Sequence, residues 1–470
     1  MPGVSSFRTT LLRTARGAST GLLAGFSALA VAELTAGLVR PAAGPVTVVG
    51  GAVIDRTPAG MKDFAIRTFG ENDKTVLQVG ILLLLALFAV VLGVVSLSYR
   101  RAGAAGVLAF GVLGAAAALS RPDSAGAGDA LPSAVGALAA AAVLYGLAAK
   151  AAPVGSTSGD TGTGSGWSRR GFLTAAGVTA AAATGTGVAG RALSGRRGRG
   201  AAASRDSLAL PAPSSPAPAV PAGARPGAGG ISAFTTPNRE FYRVDTARWL
   251  GVPLAGLLAE CSVRAPSKGG GADQLVARSV DGMTLGSPVE DVLDGRDAML
   301  AVGMNGEPLP FAHGYPVRML VPGLYGYVSA CKWITEIELT TFEAYDPYWV
   351  KRKWARRAPV KTQSRIDTPK PFARPAVGTV VIAGVAWAQR RGITRVEVRV
   401  DDGPWTDADL APQHSLDTWR QWSYRWQAAA GGHTLTVRAT DGTAAVQTDK
   451  RARTIPDGAS GWHSVFVTVP

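Results

Sequence analysis

Apolar residues run almost unbroken through residues 20–39, 75–99, 103–119 and 131–149. Each stretch is near the roughly 20 residues an α-helix needs to cross the hydrocarbon core of a bilayer. The pattern therefore predicts a four-helix transmembrane anchor over residues 1–150. Arg8, Arg13 and Arg16 precede the first stretch, Arg100 and Arg101 join the second to the third, and Lys150, Arg169 and Arg170 follow the fourth. Cationic flanks stay on the cytoplasmic side, which leaves residues 40–74 outside. That loop sets Arg56, Lys62, Arg67, Asp55, Asp63 and Glu71 around Met61, Phe64, Ile66 and Phe69, the pattern of a short helix lying on the outer surface. Glu33 is the one acid inside an apolar span. It either reaches the interface or serves a buried functional partner.

Residues 151–195 hold a cytoplasmic loop and a fifth, weakly apolar stretch ending near Gly190, opened by Ser168-Arg169-Arg170-Gly171-Phe172-Leu173. Twin arginines, a Phe-Leu pair and a mildly hydrophobic continuation read as an internal twin-arginine export signal, or as the positive flank of an ordinary helix. Residues 196–230 are dominated by Pro, Ala, Gly and Ser, a composition that buries no core and predicts a semi-extended tether. Two globular regions follow, 231–356 and 374–470. In the second, Val396, Val398 and Val400 alternate with Arg395, Glu397 and Arg399 before Asp402-Gly403, and Leu435, Val437 and Ala439 alternate with Thr434, Thr436 and Arg438 before Asp441-Gly442. Period-two patterning between Asp-Gly turns predicts antiparallel strands with one buried face. Several of these within about 95 residues predict a β-sandwich.

Composition sharpens this division. With 47% hydrophobic and 17% charged residues over 470 positions, the chain is too apolar to be wholly soluble. All eleven tryptophans lie at or after Trp167 and all four histidines after residue 312, so the first third is membrane-like and the last half globular. The net charge of +15 suits anionic lipid or an anionic cofactor. Nucleic acid is set aside, because the arginines are scattered and the dense run at 191–199 flanks an apolar segment rather than stacking aromatics. Cys261 and Cys331, the two cysteines, make neither a disulfide framework nor a zinc site, and no Cys-x-x-Cys-His haem motif is present. A redox role requires another cofactor.

The most informative stretch is Asn305-Gly306-Glu307-Pro308-Leu309-Pro310, followed by His313-Gly314-Tyr315-Pro316-Val317-Arg318 and Val321-Pro322-Gly323-Leu324-Tyr325-Gly326. Rigid prolines, permissive glycines and a few long donors suit a fixed loop-strand-loop cradle for an anion. Together with Asn238-Arg239-Glu240-Phe241-Tyr242-Arg243, Arg248-Trp249-Leu250-Gly251-Val252-Pro253-Leu254, Ser279-Val280-Asp281-Gly282, Lys332-Trp333 and Lys361-Thr362-Gln363-Ser364-Arg365, it resembles the sulfite-oxidase-type molybdopterin-dependent oxidoreductases, in particular their membrane-anchored bacterial branch. The resemblance covers residues 231–470 and continues through Gly384-Val385-Ala386-Trp387-Ala388, Val400-Asp401-Asp402-Gly403-Pro404-Trp405, Thr418-Trp419-Arg420-Gln421-Trp422 and Gly461-Trp462-His463.

The resemblance implies an α+β molybdopterin-binding domain over 231–356 and an immunoglobulin-like β-sandwich over 374–470 through which two copies dimerise. It assigns Asn238, Tyr242 and Arg243 to the pterin or its phosphate, and His313, Arg318, Ser329 and Lys332 to the cradle. Lys361 and Arg365 would border the entrance for a small anionic or sulfur-containing substrate. The cofactor is molybdopterin with molybdenum, and electrons pass to a separate carrier. On the residues alone, Arg318 also suits an ion pair, His313 a satisfied half-buried position, and Lys361 and Arg365 a solvated linker.

The pattern departs from the family at one place. Members carry, between the Phe-Tyr-Arg and Arg-Trp-Leu-Gly motifs, further strands ending in the cysteine that ligates molybdenum. Here Asp245-Thr246-Ala247 runs straight into Arg248-Trp249. Cys331, beside Lys332, is the substitute thiolate to consider, whereas Cys261 closes an apolar helical run and reads as a small buried thiol. Lost strands also predict an unpaired sheet edge and uncovered core. The expectation is a multi-pass cell-membrane oxidoreductase with its C-terminal domains extracytoplasmic. The alternative is a catalytically silent membrane protein whose sandwich serves binding or dimerisation.

Overall fold

The computed structural model describes residues 3–58, 61, 68, 73–121, 124, 126–151, 169–224, 234–238, 241 and 246–470. The chain divides into two units, residues 1–203 and 204–470.

The first unit is helical: α1 (Gly3–Val39), α2 (Pro45–Arg56), α3 (Asp73–Ser96), α4 (Arg100–Ser120), α5 (Leu131–Ala151) and α6 (Arg169–Ser207). Five segments, Arg13–Val39, Thr75–Ser96, Arg100–Ser120, Ala127–Ala149 and Gly171–Leu193, are long and apolar enough to cross a membrane by length and composition. Small residues let the helices approach closely. A Cβ on Gly21 of α1 would stand 1.8 Å from the Ala89 carbonyl oxygen of α3, and one on Gly93 would stand 2.1 Å from that of Gly17. Just past α1, Arg40 donates from Nε to Asp129 Oδ1 at 2.9 Å, and Asp129 is 3% exposed. Glu33 is exposed, about two helical turns before that pair. The surface helix expected around Met61 to Phe69 falls almost wholly outside the described residues.

Two expectations change here. The helix that begins at the twin arginines does not stop near Gly190 but continues to Ser207, because residues 191–207 are rich in Ala and Arg, strong helix formers, with no proline before Pro211. The tether that follows is also partly laid down on the second unit. Leu210 lies against Gly303, and Ala224, 1% exposed, packs with Val385 and Trp387.

In the second unit, β1 (Trp249–Pro253), β4 (Met299–Met304), β5 (Glu307–Pro308) and β6 (Arg318–Leu320) form one antiparallel sheet, in which β1, β5 and β6 all pair with or through β4. A second sheet has the order β3 (Thr284–Pro288), β2 (Gln274–Ser279), β7 (Ile334–Thr340). With the short helices α7 (Leu254–Glu260), α8 (Val289–Leu293) and α9 (Gly326–Ser329) they enclose a core of Leu254, Leu275, Val289, Val292, Met319 and Cys331. Among the described strands β1 lies at a sheet edge, with Val252 49% exposed. The core behind it is nonetheless closed, since Leu254, Leu275, Val289 and Met319 are all at most 1% exposed.

The remaining strands are β8 (Gln363–Thr368), β9 (Gly378–Trp387), β10 (Ile393–Val400), β11 (Thr406–Asp407), β12 (Asp409–Leu410), β13 (Arg420–Ala428), β14 (Gly431–Asp441) and β15 (His463–Val469). They make two four-stranded sheets, β12-β13-β9-β8 and β11-β10-β14-β15. Both contribute to one core that includes Ile382, Trp422, Val396, Val398, Leu435, Val437 and Val467. β8 lies in the stretch read from sequence as the divide between the globular regions. The period-two reading holds for the buried face, where Val396 pairs with Ala439 and Val398 with Val437. The opposite face is not simply solvated: Glu397 is 3% exposed because Arg438 grips it at 2.7 and 3.0 Å.

Candidate functional site

The cradle is laced by backbone hydrogen bonds between residues 314–319 and 331–334. Met319 N–H donates to Cys331 O at 2.8 Å, Ile334 N–H to Val317 O at 3.2 Å, and Trp333 N–H to Gly314 O at 3.4 Å. Gly314 is required: its φ is +112°, and a Cβ there would stand 3.0 Å from Arg318 Cβ and 3.1 Å from Lys332 Cβ. The Gly314 turn thereby brings the stems of two cations side by side.

Arg318 is 5% exposed and forms no ion pair with the described residues. Its Nη1 donates to His313 O at 3.2 Å, its guanidinium carbon lies 4.9 Å above the Trp249 ring, and its Nε has no hydrogen-bond partner. Burial pushes its pKa down to about 10. A buried cation held by one carbonyl and a ring is costly to desolvate, and its Nε lacks the acceptor that such a buried donor ordinarily has. Lys332 donates from Nζ to Ala312 O at 2.7 Å, and burial, helped by Arg318, lowers its pKa.

His313 joins this group. Its Nε2 donates to Asn238 O at 2.6 Å, so the neutral ring keeps Nδ1 as an acceptor. Burial, and then the charges of Lys332 and Arg318, lower its pKa. Asn238 is held in turn, donating to Met304 O at 3.3 Å and accepting from Asn305 Nδ2 at 2.8 Å. Asn305 also donates to Thr236 O and accepts from the Arg248 amide, both at 2.9 Å. Sequence reasoning missed Asn305 and Trp249 as positioning residues. The signal for Asn305 was the Asn-Gly turn, where it sits at φ +54°.

The other proposed site residues divide differently. Tyr242 and Arg243 lie outside the described residues. Ser329 is buried and donates to Leu324 O at 3.1 Å within its own turn, away from the two cations' contacts. Lys361 donates to Asp457 at 2.9 Å and to Gly458 O at 2.8 Å, and Arg365 pairs with Asp367 at 2.6 Å, so both fasten local structure rather than line the cradle.

The cysteines invert their sequence reading. Cys331 is 1% exposed in the apolar core, its Sγ 3.7 Å from the carbonyl oxygens of Ala277 and Lys332, and burial pushes its pKa up to about 12. That burial disfavours the thiolate a soft metal needs. Cys261, read as buried, is exposed at the end of α7. Neither forms a disulfide. Among the described residues no group of three or more His, Cys, Asp or Glu is placed to hold a metal. Arg318 and Lys332 are donors of the kind that fit a phosphorylated ligand.

Residues 233–349 match the oxidoreductase molybdopterin binding domain family. Mitochondrial sulfite oxidase of Mus musculus is 30% identical over 262 residues, covering 48% of this chain and 47% of the relative. An NADH nitrate reductase of Glycine max is 38% identical over 117 residues, covering 23% of this chain and 13% of the relative. Among solved structures, the sulfane dehydrogenase SoxCD from Paracoccus pantotrophus is 29% identical with a TM-score of 0.40, covering 48% of this chain and 61% of that one. The chain spans about half the length of the curated sulfite oxidase it matches. The matched residues are similar to the sulfite-oxidase type of molybdopterin oxidoreductase, and the cofactor this similarity implies is molybdopterin with molybdenum.

Proposed function

We propose that this chain, with its sulfite-oxidase-type molybdopterin domain, is a membrane-tethered oxidoreductase that moves an oxygen atom and two electrons between a small anionic or sulfur-containing substrate and a separate electron carrier. The observation that carries this reading is Arg318, a buried cation with no ion-pair partner among the described residues, beside Lys332 and donating to the backbone of His313, which in turn bonds Asn238. A bound molybdenum pterin would supply the redox chemistry, and the protein would bind and orient. Arg318 and Lys332 would hold its phosphate as forked and point cations, and neutral His313 would accept a hydrogen bond at Nδ1. Trp249 and Phe241, stacked edge to face at 5.6 Å, would keep water from this side.

Five apolar helices support a multi-pass tether, and the twin arginines at the start of α6 support export, which would place the C-terminal domains outside the cytoplasm. The immunoglobulin-like reading of the two-sheet region supports a homodimer. The names of the relatives, sulfite oxidase and nitrate reductase, support a small oxyanion or sulfur substrate. The lack of a Cys-x-x-Cys-His haem motif in the sequence supports a separate carrier.

A second reading is favoured by the thiol. Cys331 is a core residue, and Ala247 leads directly into Arg248 where the family carries its cysteine segment. Fewer than half of the 470 residues fill an alignment over 262 positions, so the gap falls on this side. On this reading the chain is a catalytically silent membrane protein. Molybdenum and pterin content of the folded, purified chain decides: the enzymatic reading expects about one metal per chain, and folded metal-free protein overturns it.

A further inference from the structure

We propose that residues 351–357 and 450–453 together form a docking surface for the anionic headgroups of a phospholipid bilayer. This rests on the reading of the chain as membrane-tethered. The stretch 191–199 is not the only dense basic run: Lys351, Arg352, Lys353, Arg356 and Arg357 crowd into seven residues around Trp354, and Lys450, Arg451 and Arg453 make a second cluster. The fold joins these distant segments. The Ala355 amide donates to Pro456 O at 2.9 Å, and Tyr327 Oη donates to the same oxygen at 3.0 Å. Lys361 holds the loop from below through Asp457 and Gly458.

The side chains of Lys351, Lys353, Arg356, Arg357, Lys450, Arg451 and Arg453 are exposed. Asp346 pairs with Arg356 at 2.7 Å and Asp457 with Lys361 at 2.9 Å, whereas Lys353, Arg357, Lys450, Arg451 and Arg453 form no ion pair with the described residues. Aromatic and apolar groups sit among the cations. Arg352 stacks 3.5 Å over Tyr348, Trp354 packs on Tyr327 and Trp349 at 4.5 and 5.4 Å, and Ile455 at the loop tip is 48% exposed. Cations on flexible stems around an aromatic and apolar tip match the headgroup boundary of an anionic bilayer, which takes both charge and shallow apolar insertion.

The test uses the full chain in nanodiscs of phosphatidylcholine alone, or with phosphatidylglycerol as about a third of the lipid. Hydrogen exchange is followed in peptides spanning 349–357 and 449–457. Exchange about tenfold slower in the anionic discs, reversed by high salt and lost in the Arg357→Glu/Lys450→Glu/Arg453→Glu variant with unchanged melting temperature, supports the proposal. Equal exchange in both discs overturns it. Protection by poly-glutamate without protection by phosphatidylglycerol also overturns it, in favour of an acidic protein partner. Failure of the chain to co-elute with discs sinks the tether and this surface together. Metal-free protein that is still protected sinks only the catalytic reading.

Discussion

Arg318 concentrates the chemistry at the level of single residues. A guanidinium that is 5% exposed and has no ion-pair partner among the described residues is a poor structural device, so its replacement separates binding from folding. Arg318→Leu is expected to lower molybdenum content at least tenfold, the loss of about 1.5–3 kcal/mol of charge-assisted hydrogen bonding. The melting temperature of the cofactor-free protein should stay level or rise. A variant that melts lower while keeping its metal would make Arg318 a structural residue. Cys331 offers the converse experiment. Because its thiol is buried in the apolar core, where burial disfavours the thiolate, Cys331→Ala should leave metal content unchanged and cost about 1 kcal/mol or somewhat more in stability. Loss of metal would restore it as a ligand.

Two histidines on the strands of the two-sheet region make opposite demands on pH. His463 accepts the Ile366 amide at Nδ1 at 3.1 Å, linking β15 to β8, and burial followed by Arg365 lowers its pKa. The folded state therefore binds this proton less readily than the unfolded chain, so its contribution is present above the ordinary value of 6.5 and declines as pH falls below it. His433 has its pKa raised by the Asp401 carboxylate, 2.8 Å away, so its contribution is complete below 6.5 and declines as pH rises through the raised value. Of the two, His463 is the one whose shift burial dominates, and its effect is less screened. Melting temperature should thus fall on acidification from neutral pH to about pH 5, and His463→Gln, which keeps an acceptor, should flatten that fall. An unchanged slope would reject the His463 account. Gly314→Ala tests the turn between the cradle segments: strain at φ +112° and crowding against Arg318 and Lys332 predict a loss of about 1–3 kcal/mol in denaturant unfolding.

For the whole chain, cofactor and stability are linked, since a ligand bound only by the folded state adds to unfolding free energy. Protein matured with molybdopterin should require about 3 kcal/mol more to unfold than depleted protein at a hundredfold excess over the dissociation constant. That difference should vanish in Arg318→Leu. Equal stability with and without the cofactor in the unsubstituted chain would favour the silent reading.

The helices of residues 1–203 and the buried faces of β10 and β14 were legible in sequence because each rests on local periodicity: apolar length matches a bilayer, and alternation matches a pleat. The cradle motifs were legible as a set, and the fold brings Asn238, His313, Arg318 and Lys332 together. Sequence had no hold on the rest. Whether Cys331 or Cys261 was buried, whether Lys361 faced a ligand or Asp457, and whether two basic runs met at Pro456 all depend on contacts between residues far apart along the chain. Composition and periodicity report how one segment divides between water and an apolar phase. Which distant segment supplies the other wall is set by closing a common core, and only the tertiary structure carries that information.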